Sequence, residues 1–547
     1  MPPDRVPVTA AERRRLLTLG RGDINIAAME TTIRDILALS GCWVITSLLV
    51  TACHRLLFHR RDALSRFEER SEERFDTWLD EWLDAGTVSV AAVILLLQIM
   101  GTAGWLDKLP VSLVTLLFSA AVLLKTAPNH PRTVPARPGF GTMPFLIGFV
   151  FISLVILQIA WDARWNGPEG WDVFTYHLGF PAEWLSRKAL LNPLQSYGDF
   201  SPPFYPLNSS LVAAWTMLLS GSDLLAKHVQ LVFLIIGLPA LYRACRSLGA
   251  SPRAAALAPL AFGLVPIVLG NTGVAYCDLS LAGAYALALA QVLRVQEQPT
   301  MRRSLIAGLA AGIFLGAKYS AVPFSIVLWI LWLLLLAGMT GKIRHATAFA
   351  AGIAAGGGYT YIRNLIITGN PLFPAEIKVG GRLLLPGWID PAYLKHLDFH
   401  KIDLASMCFG PRSVAELGLH AIVYLAPAVP LGICLALFGL RRNRLKTGLP
   451  RFWIMLAPAL LFWLYYVSLP YRYHPRFFLP AVAAASVNLA ILVAGTGLPA
   501  GLTAGIMLLT AMKNDYYFAA AFPLMGAAVL FAFLIRAAMG STPHQRV

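Results

Sequence analysis

The feature that most constrains this chain is a series of apolar runs, each about long enough to cross a bilayer. A hydrocarbon core about 30 Å thick requires about 20 predominantly apolar residues in a helix. Backbone polar groups inside that core must bond internally, which a helix achieves on its own. Such runs occupy 36–58, 86–104, 109–125, 143–161, 225–245, 254–274, 279–295, 303–322, 323–340, 345–366, 416–440, 452–469, 476–495, 497–512 and 518–537. They predict an all-α polytopic membrane protein, and the length of 547 residues supplies about 13 transmembrane helices besides two long connections.

Composition excludes the soluble globular class. Hydrophobic residues make up 57% of the chain and charged residues only 14%, whereas charged residues are about a quarter of an ordinary soluble domain. The net charge of +16 does not indicate a nucleic-acid partner, because the basic residues cluster at the ends of apolar runs. Arg243 with Arg246 and Arg302 with Arg303 are two such clusters. They fit the rule that cytoplasmic connections are rich in Lys and Arg.

The apolar runs divide the chain into three regions. Residues 1–142 are predicted to form an N-terminal extension with up to three apolar helices and an amphipathic helix at 59–85 that lies in the membrane interface. Residues 143–495 are predicted to form a transmembrane catalytic core, and 496–547 add C-terminal helices and a short tail. The sidedness of the first 100 residues stays open. If all three early runs cross the membrane, the basic N-terminus would lie outside, against the positive-inside rule.

Two connections are much longer than the others, 162–206 and 367–415, and long connections in compact proteins are usually functional or disordered. The basic connection 126–140 is assigned to the cytoplasm, so the helix after it delivers 162–206 to the outer face. Counting the membrane crossings of the helices that follow places 367–415 on the outer face as well. The apolar piece 207–220 is too short to cross, and we expect it to be re-entrant or to lie on the surface.

The outer connection 162–206 contains the first candidate catalytic residue, Asp172, within the segment WDVFTYHL. A carboxylate at a membrane boundary is costly and therefore indicates a site, although a salt-bridged structural Asp is the alternative. Tyr176 and His177 follow at helical spacing, so they share adjoining faces with Asp172 and are candidate substrate-binding residues. Aromatic residues here also fit an interfacial belt.

Asp278 is the second candidate catalytic residue, because it stands where one apolar run passes into the next. A central carboxylate costs about 2.5–3.5 kcal/mol on insertion scales and should face a polar cavity. Its alternative role is a helix N-cap. The steps Gly308, Gly312 and Gly316 predict close helix packing. Lys318 follows at the outer end of that helix.

Three cations at predicted outer junctions suit an anionic group. Lys318 is able to hold a phosphate or to extend its amine to the interface. Arg363 lies outside, against the positive-inside bias, so we expect it to have an anionic partner, and Asn370 follows in a rigid turn. His474 and Arg476 occupy a similar junction. Lys318, Arg363 and Arg476 together would suit a phosphate or pyrophosphate leaving group.

Nucleotide and metal motifs are missing from the sequence. It contains no Walker A run, no GxGxxG after a strand and no DxD pair, so a soluble nucleotide-dependent mechanism has no support. A divalent metal is left open, and no cofactor is certain. The side chains that could hold such a metal with Asp172 or Asp278 are His177, His396, His400 and His474.

These motifs, in this order, resemble the polyprenyl-phosphate-dependent membrane glycosyltransferases of the GT-C fold, near the lipid A aminoarabinose transferase and protein O-mannosyltransferase group. The resemblance covers roughly residues 143–495. It rests on Asp172, the PPFYPLNSS stretch, Asp278, the GLAAGIFLGAKYSA run, the GNPLFP segment and the RFFLP piece. The first-loop motif here is WDxxxYH instead of paired acids, and no soluble domain follows the last predicted helices.

The resemblance implies a GT-C-like fold and an inverting sugar transfer. Its donor would be a polyprenyl-phosphate-linked sugar, its acceptor a glycan, lipid or protein hydroxyl, and its surroundings membrane lipid. The residue matching Asp172 would act as the catalytic base, Asp278 would lie in the same cavity, and basic residues would hold the lipid phosphate. The site would face the periplasm or exterior of a bacterial inner membrane. The alternatives are a non-enzymatic lipid or solute transporter and, more weakly, a structural subunit.

Overall fold

A computed structural model of the chain describes residues 21–58, 71–126, 143–165, 168, 170–191, 200–389, 445–468, 474–496 and 498–512. The structure is predominantly helical, as the apolar runs predict. Its helices are α1 Arg21–Phe58, α2 Ser71–Thr102, α3 Lys108–Lys125, α4 Met143–Trp165, α5 Gly179–Arg187, α6 Asn208–Ser220, α7 Val229–Ser247, α8 Pro252–Ala255, α9 Leu257–Gly263, α10 Pro266–Gly270, α11 Asp278–Glu297, α12 Met301–Leu315, α13 Ala321–Ala337, α14 Lys342–Thr368, α15 Leu445–Ser468, α16 Leu479–Thr496 and α17 Ala500–Met512.

Shorter elements connect these helices. A π-helical turn, Val173–His177, precedes α5, and single 3₁₀ turns occur at Pro202–Phe204, Ala226–His228, Asn271–Gly273 and Pro475–Phe478. Strands β1 Ile377–Val379 and β2 Arg382–Leu385 form an antiparallel hairpin. This hairpin is the exception to the all-helical prediction.

Six helices in the described ranges are long and apolar enough to cross a membrane, or seven if a bent pair counts as one span. The bent pair is Pro252–Gly263 with Pro266–Gly273, which turns by 66° at the break. The sequence predicts one span there, at 254–274, and the structure breaks it. The chain is therefore consistent with an integral membrane protein, while a total of about 13 spans stays a prediction. The predicted runs 416–440 and 518–537 lie outside the described residues.

Helix α11 is the centre of the packed core. Side chains along it are buried from Asp278 to Val295, and it packs against α7, α12 and α16. Helix α12 packs along α14, and the predicted glycine steps explain how closely. A Cβ on Gly312 would lie 2.6 Å from the carbonyl oxygen of Ile353, and one on Gly308 would clash with the carbonyl of Phe349. The prediction of close helix packing is confirmed.

Helix α6 lies inside the protein. The sequence predicts that 207–220 is re-entrant or on the membrane surface, but most side chains of α6 are buried. It packs against α1, α2 and α5. The surface alternative is therefore wrong, because a surface helix would leave one face open.

The N-terminal extension also differs from its prediction. Residues 71–85 do not form a separate interfacial helix, because they begin α2, which continues without a break to Thr102. The described candidate span in this helix starts at Phe75. Residues 59–70 lie outside the described ranges. The side chains of Asp76, Asp80 and Asp84 turn inward instead, toward arginines of the core.

These arginines and acids form a buried network, here called the arginine clamp. Arg294 at the end of α11 bonds Asp84 at 2.6 Å and lies 3.0 Å from Asp80. Arg243 lies 2.6 Å from Asp80 and also pairs with Glu297. Arg246 contacts Asp76 at 2.8 Å. The clamp thus fastens α2 to α7 and α11, and Arg243 and Arg246 are not free surface anchors.

Helix α11 separates two ends of the protein. It has 20 residues, which is about 30 Å at 1.5 Å per residue and matches the thickness of a hydrocarbon core. The arginine clamp stands at its C-terminal end. Asp278 lies at its N-terminal end, and so at the other end of the helix from the clamp.

Candidate active site

Four charged side chains meet at the N-terminal end of α11, here called the charge quartet: Asp172, Asp278, Lys318 and Arg476. Each comes from a different part of the chain. Asp172 precedes the π-helical turn, and Asp278 is the first residue of α11. Lys318 lies between α12 and α13, and Arg476 lies in the turn before α16. The structure therefore brings together four of the residues that the sequence singles out.

Arg476 joins the two carboxylates. Its Nη2 donates to Asp172 Oδ2 at 3.0 Å, and its Nε lies 3.5 Å from Asp278 Oδ2. Lys318 donates from Nζ to Asp278 Oδ1. Asp278 is thus held by two cations and Asp172 by one, and the four formal charges cancel.

The two carboxylates differ in exposure. The Asp278 side chain is 2% exposed, whereas that of Asp172 is 30% exposed. A buried carboxylate without a partner would be strongly unfavourable, which explains why Asp278 has two cations. Asp172 is the carboxylate that an incoming molecule would meet first.

Aromatic rings frame the cations. The Arg476 guanidinium lies over the Tyr276 ring at 4.1 Å from its centroid. The Lys318 amine lies over the Phe477 ring at 4.0 Å. A ring face attracts a cation, more strongly where water is excluded. Sequence reasoning missed Tyr276 and Phe477, although each stands within two positions of a quartet residue.

Asp278 is free to form these ion pairs because another residue caps α11. The N-cap position is Cys277, one residue earlier than the alternative role for Asp278 supposes, and its side chain makes no cap bond. Gln230 instead accepts from the backbone amide of Leu279 at 2.7 Å. The Asp278 charge also lies at the positive end of the helix dipole, which favours it.

The segment carrying Asp172 lies against Tyr276. Gly170 has a φ of 106°, a conformation that favours glycine, and a Cβ there would clash with the Tyr276 hydroxyl. This close approach sets the position of Trp171 and Asp172. The Trp171 side chain is 72% exposed, which suits the interfacial-belt interpretation better than a packed site.

Tyr176 and His177 lie at the side of the quartet. Their rings are 4.3 Å apart, and His177 meets Tyr276 edge-on at 6.2 Å. Burial, helped by the nearby Lys318 charge and opposed by Asp278, lowers the pKa of His177 to about 3. The imidazole is therefore neutral at physiological pH. Both residues frame the site, and contact with a substrate stays a prediction.

Arg363 is placed apart from the quartet. Its Nη2 donates to the carbonyl of Pro203 at 2.8 Å and to Asn364 Oδ1 at 3.1 Å. No carboxylate pairs with it among the residues that the structure describes. Its neighbours Asn364 and Tyr319 both donate to the carbonyl of Phe204 at 2.9 Å. Together these side chains fix the segment around Pro203 that leads to Tyr205.

Asn370 and His474 have mainly structural contacts. The amide of Asn370 donates to the carbonyls of Ala375 and Pro386, each at 2.8 Å, and its oxygen accepts from Leu372. Asn370 therefore holds the turn after α14. His474 packs its ring against Phe477 at 5.4 Å, and the Phe477 ring in turn lies under the Lys318 amine.

No group of three or more His, Cys, Asp or Glu side chains able to hold a metal occurs in the described part of the chain. Both candidate carboxylates instead bind cations of the chain itself. His396 and His400, which the sequence also named, lie outside the described ranges.

Comparisons with known proteins give no relative for this chain. No family model, no curated protein and no solved structure matches it.

Proposed function

We propose that this protein is an inverting membrane glycosyltransferase, which moves a sugar from a polyprenyl-phosphate donor to an acceptor hydroxyl. The observation that carries the proposal is the partly exposed carboxylate of Asp172, held through one oxygen by Arg476 beside the buried Asp278. Its Oδ1 has no hydrogen bond to the described residues, so it is available to an acceptor. The likeness of the sequence motifs to GT-C enzymes supports the same reaction.

Asp172 is the general base in this proposal. The acceptor oxygen forms a bond to the anomeric carbon as the bond from that carbon to the phosphate oxygen breaks. The hydroxyl proton passes to Asp172, and the departing polyprenyl phosphate keeps the electron pair. A single displacement of this kind inverts the anomeric centre. General base catalysis contributes typically about a hundredfold to ten-thousandfold.

Arg476 is the orienting group for the base. A charge-assisted bond at 3.0 Å fixes the direction of the Asp172 carboxylate. Asp278 in turn holds Arg476 and Lys318 in place from the buried side. In the proposal, Asp278 therefore acts by position and need not touch the sugar.

The leaving phosphate requires positively charged groups with hydrogen-bond donors to spare. Lys318 is 26% exposed, and an ammonium carries three donors, of which Asp278 takes one. Arg363 lies beside Tyr319, the residue after Lys318, and has no carboxylate partner in the described ranges. Lys318 and Arg363 are therefore the proposed phosphate-binding residues.

The remaining parts of the proposal concern location and partners. The charge quartet would face the periplasm or exterior of a bacterial inner membrane, where the donor enters from the lipid. The acceptor would be an envelope glycan, lipid or protein. This location is supported by the position of the arginine clamp at the opposite end of α11. The clamp contains Arg243 and Arg246, which the positive-inside rule assigns to the cytoplasmic side.

A complementation experiment tests the function. Cells without the gene are supplied with the wild type, Asp172→Asn, Asp278→Asn or Glu183→Gln, and envelope glycans and lipid-linked sugars are measured by mass spectrometry. Glu183 is the matched control, because it is a neighbouring acid that pairs on the surface with Arg187. We expect loss of one glycan and accumulation of a lipid-linked sugar with both Asp variants, and no change with Glu183→Gln.

Two outcomes would count against the proposal. Full sugar transfer by both Asp variants at wild-type protein levels would remove the catalytic assignment. A change in the side of the membrane on which a lipid or solute is found, with glycan chemistry unaltered, would favour the transporter.

A further inference from the structure

The β1–β2 hairpin exposes apolar side chains on both faces. Val379 is 63% exposed, Leu383 57% and Leu384 64%. Its turn, Gly380–Gly381, has positive φ at both positions, as a tight hairpin requires. A two-stranded hairpin alone is at best marginally stable in water. The hairpin therefore needs something apolar against it.

The hairpin follows directly on helix α14, whose last turns are also apolar and exposed. Ile362, Leu365 and Ile366 are each at least half exposed. With 27 residues, α14 is about 40 Å long, but it is not among the described helices that are apolar enough to cross a membrane. The exposed residues at its C-terminal end and those of the hairpin nevertheless both call for an apolar environment.

The hairpin has features of the membrane interface and not of the hydrocarbon core. An open sheet edge does not occur in hydrocarbon, because its backbone groups would lack partners. Lys378, which pairs with Glu376, and Arg382 lie on the strands themselves and are exposed. Trp388, a residue type enriched at the interface, lies just after β2 and is 50% exposed. Cations near a surface are attracted to anionic lipids.

The base of the hairpin is fixed to the protein. Trp388 donates from its indole to Ser201 Oγ at 3.1 Å, and its ring packs against Phe373 and Phe204 at 4.5 and 5.8 Å. Phe204 belongs to the segment that Arg363, Asn364 and Tyr319 hold. The hairpin is therefore anchored on the quartet side of the protein, with its tip left open.

We propose that the hairpin Ile377–Leu385 lies in the membrane–water interface on the side of the charge quartet. Val379, Leu383 and Leu384 contact the boundary between headgroups and acyl chains, and Lys378 and Arg382 meet anionic headgroups. The partner is the lipid surface. This inference does not depend on the proposed sugar transfer.

Photocrosslinking tests the placement. A benzophenone amino acid replaces Leu384 in the full-length protein, which is reconstituted in nanodiscs of phosphatidylglycerol and phosphatidylethanolamine and irradiated. Ile366, 78% exposed near the end of α14, is the apolar reference. Pro299, exposed in the polar connection after α11, is the aqueous reference. Lipid adducts are counted by mass spectrometry after size-exclusion chromatography has shown that each variant is folded.

We expect lipid adducts at Leu384 with a yield close to that at Ile366 and at least about tenfold above that at Pro299, since apolar side chains in the interface contact acyl chains. No adduct at Leu384, with adducts still present at Ile366, would overturn the proposal. A crosslink from Leu384 to residues 390–444 or to another protein would also overturn it, and would identify what covers the hairpin instead.

Discussion

Arg476 donates to Asp172 at 3.0 Å across 304 positions of sequence, and the same guanidinium lies 3.5 Å from Asp278. One arginine thus connects the connection after α4 to the starts of α11 and α16. Its removal would leave both carboxylates with less positive charge than they need. The effect should appear in stability as well as in any activity.

Arg476→Met is therefore expected to destabilise the protein by about 3–5 kcal/mol, as happens when one partner of a buried pair is removed. Arg476→Lys should recover much of the stability, because it keeps the charge. Arg187→Met, which breaks only a surface pair with Glu183, should cost at most about 1 kcal/mol. Thermal unfolding in detergent measures all three. Equal melting temperatures for Arg476→Met and Arg187→Met would contradict the central role of Arg476.

The arginine clamp predicts a loss of stability far from the quartet. Arg294 is 1% exposed, and Asp84, which it bonds, is 3% exposed. Arg294→Met should cost about 3 kcal/mol or more, because it removes the nearest cation from the buried Asp84 and leaves Arg303 at 3.7 Å. Lys188→Met, at an exposed pair with Asp107, should leave the melting temperature unchanged. A mild effect of Arg294→Met would mean that water already reaches the clamp.

Gly312 should not tolerate a larger side chain. A Cβ there would lie 2.6 Å from the carbonyl oxygen of Ile353, whereas one on Gly505 meets nothing within 4 Å. Gly312→Val should destabilise by about 3 kcal/mol, since overpacking moves backbone. Gly505→Ala is the control and should change little. Yield of monodisperse protein and melting temperature give the comparison, and a normal Gly312→Val protein would disprove the tight α12–α14 contact.

His177 predicts how stability depends on pH. Its pKa is about 3 in the folded protein, mainly because of burial, against 6.5 when unperturbed. Below pH 6.5 the unfolded chain binds a proton that the folded protein refuses, so stability falls as pH drops from 6.5 toward 3, by up to about 1.4 kcal/mol per pH unit. The His177→Gln variant lacks this pH-dependent loss of stability, because glutamine does not bind the proton.

The measurement is the melting temperature of both proteins at pH 7.5 and pH 5.0. Wild type should lose more stability on acidification than His177→Gln. A parallel decrease in the two proteins would show that His177 does not stay neutral in the fold.

Individual site residues were predictable, but their partners were not. An acid or base beside an apolar run is costly, so sequence alone identifies Asp278, Lys318 and Arg476. The sequence analysis assigned the two cations to a phosphate, yet both contact Asp278. Pairing across 40 and more positions depends on how helices pack, and the local pattern carries no such information.

Arg363 and Asn370 are further residues whose partners could not be predicted from the sequence. The sequence predicts an anionic partner for Arg363 and substrate contact for Asn370. In the described residues Arg363 instead donates to the carbonyl of Pro203 and to Asn364. Asn370 donates to the carbonyl of Ala375. Irregular backbone near a membrane needs such donors, and a single sequence does not tell that need from ligand binding. The inward orientation of Asp76, Asp80 and Asp84 in α2 was also not predictable from the sequence, because dense mixed charge fits an interfacial helix equally well.

The arginine clamp bears on whether the part of the protein after residue 142 can fold without the helices that precede it. The described carboxylates that pair with Arg246 and Arg294 all belong to α2. A chain shortened to begin at residue 143 would keep the charge quartet but lose the carboxylates that pair with these two arginines, together with the helix that lies against them. The first helices therefore behave as an internal counterion for the rest of the protein, and a functional minimal protein must retain α2.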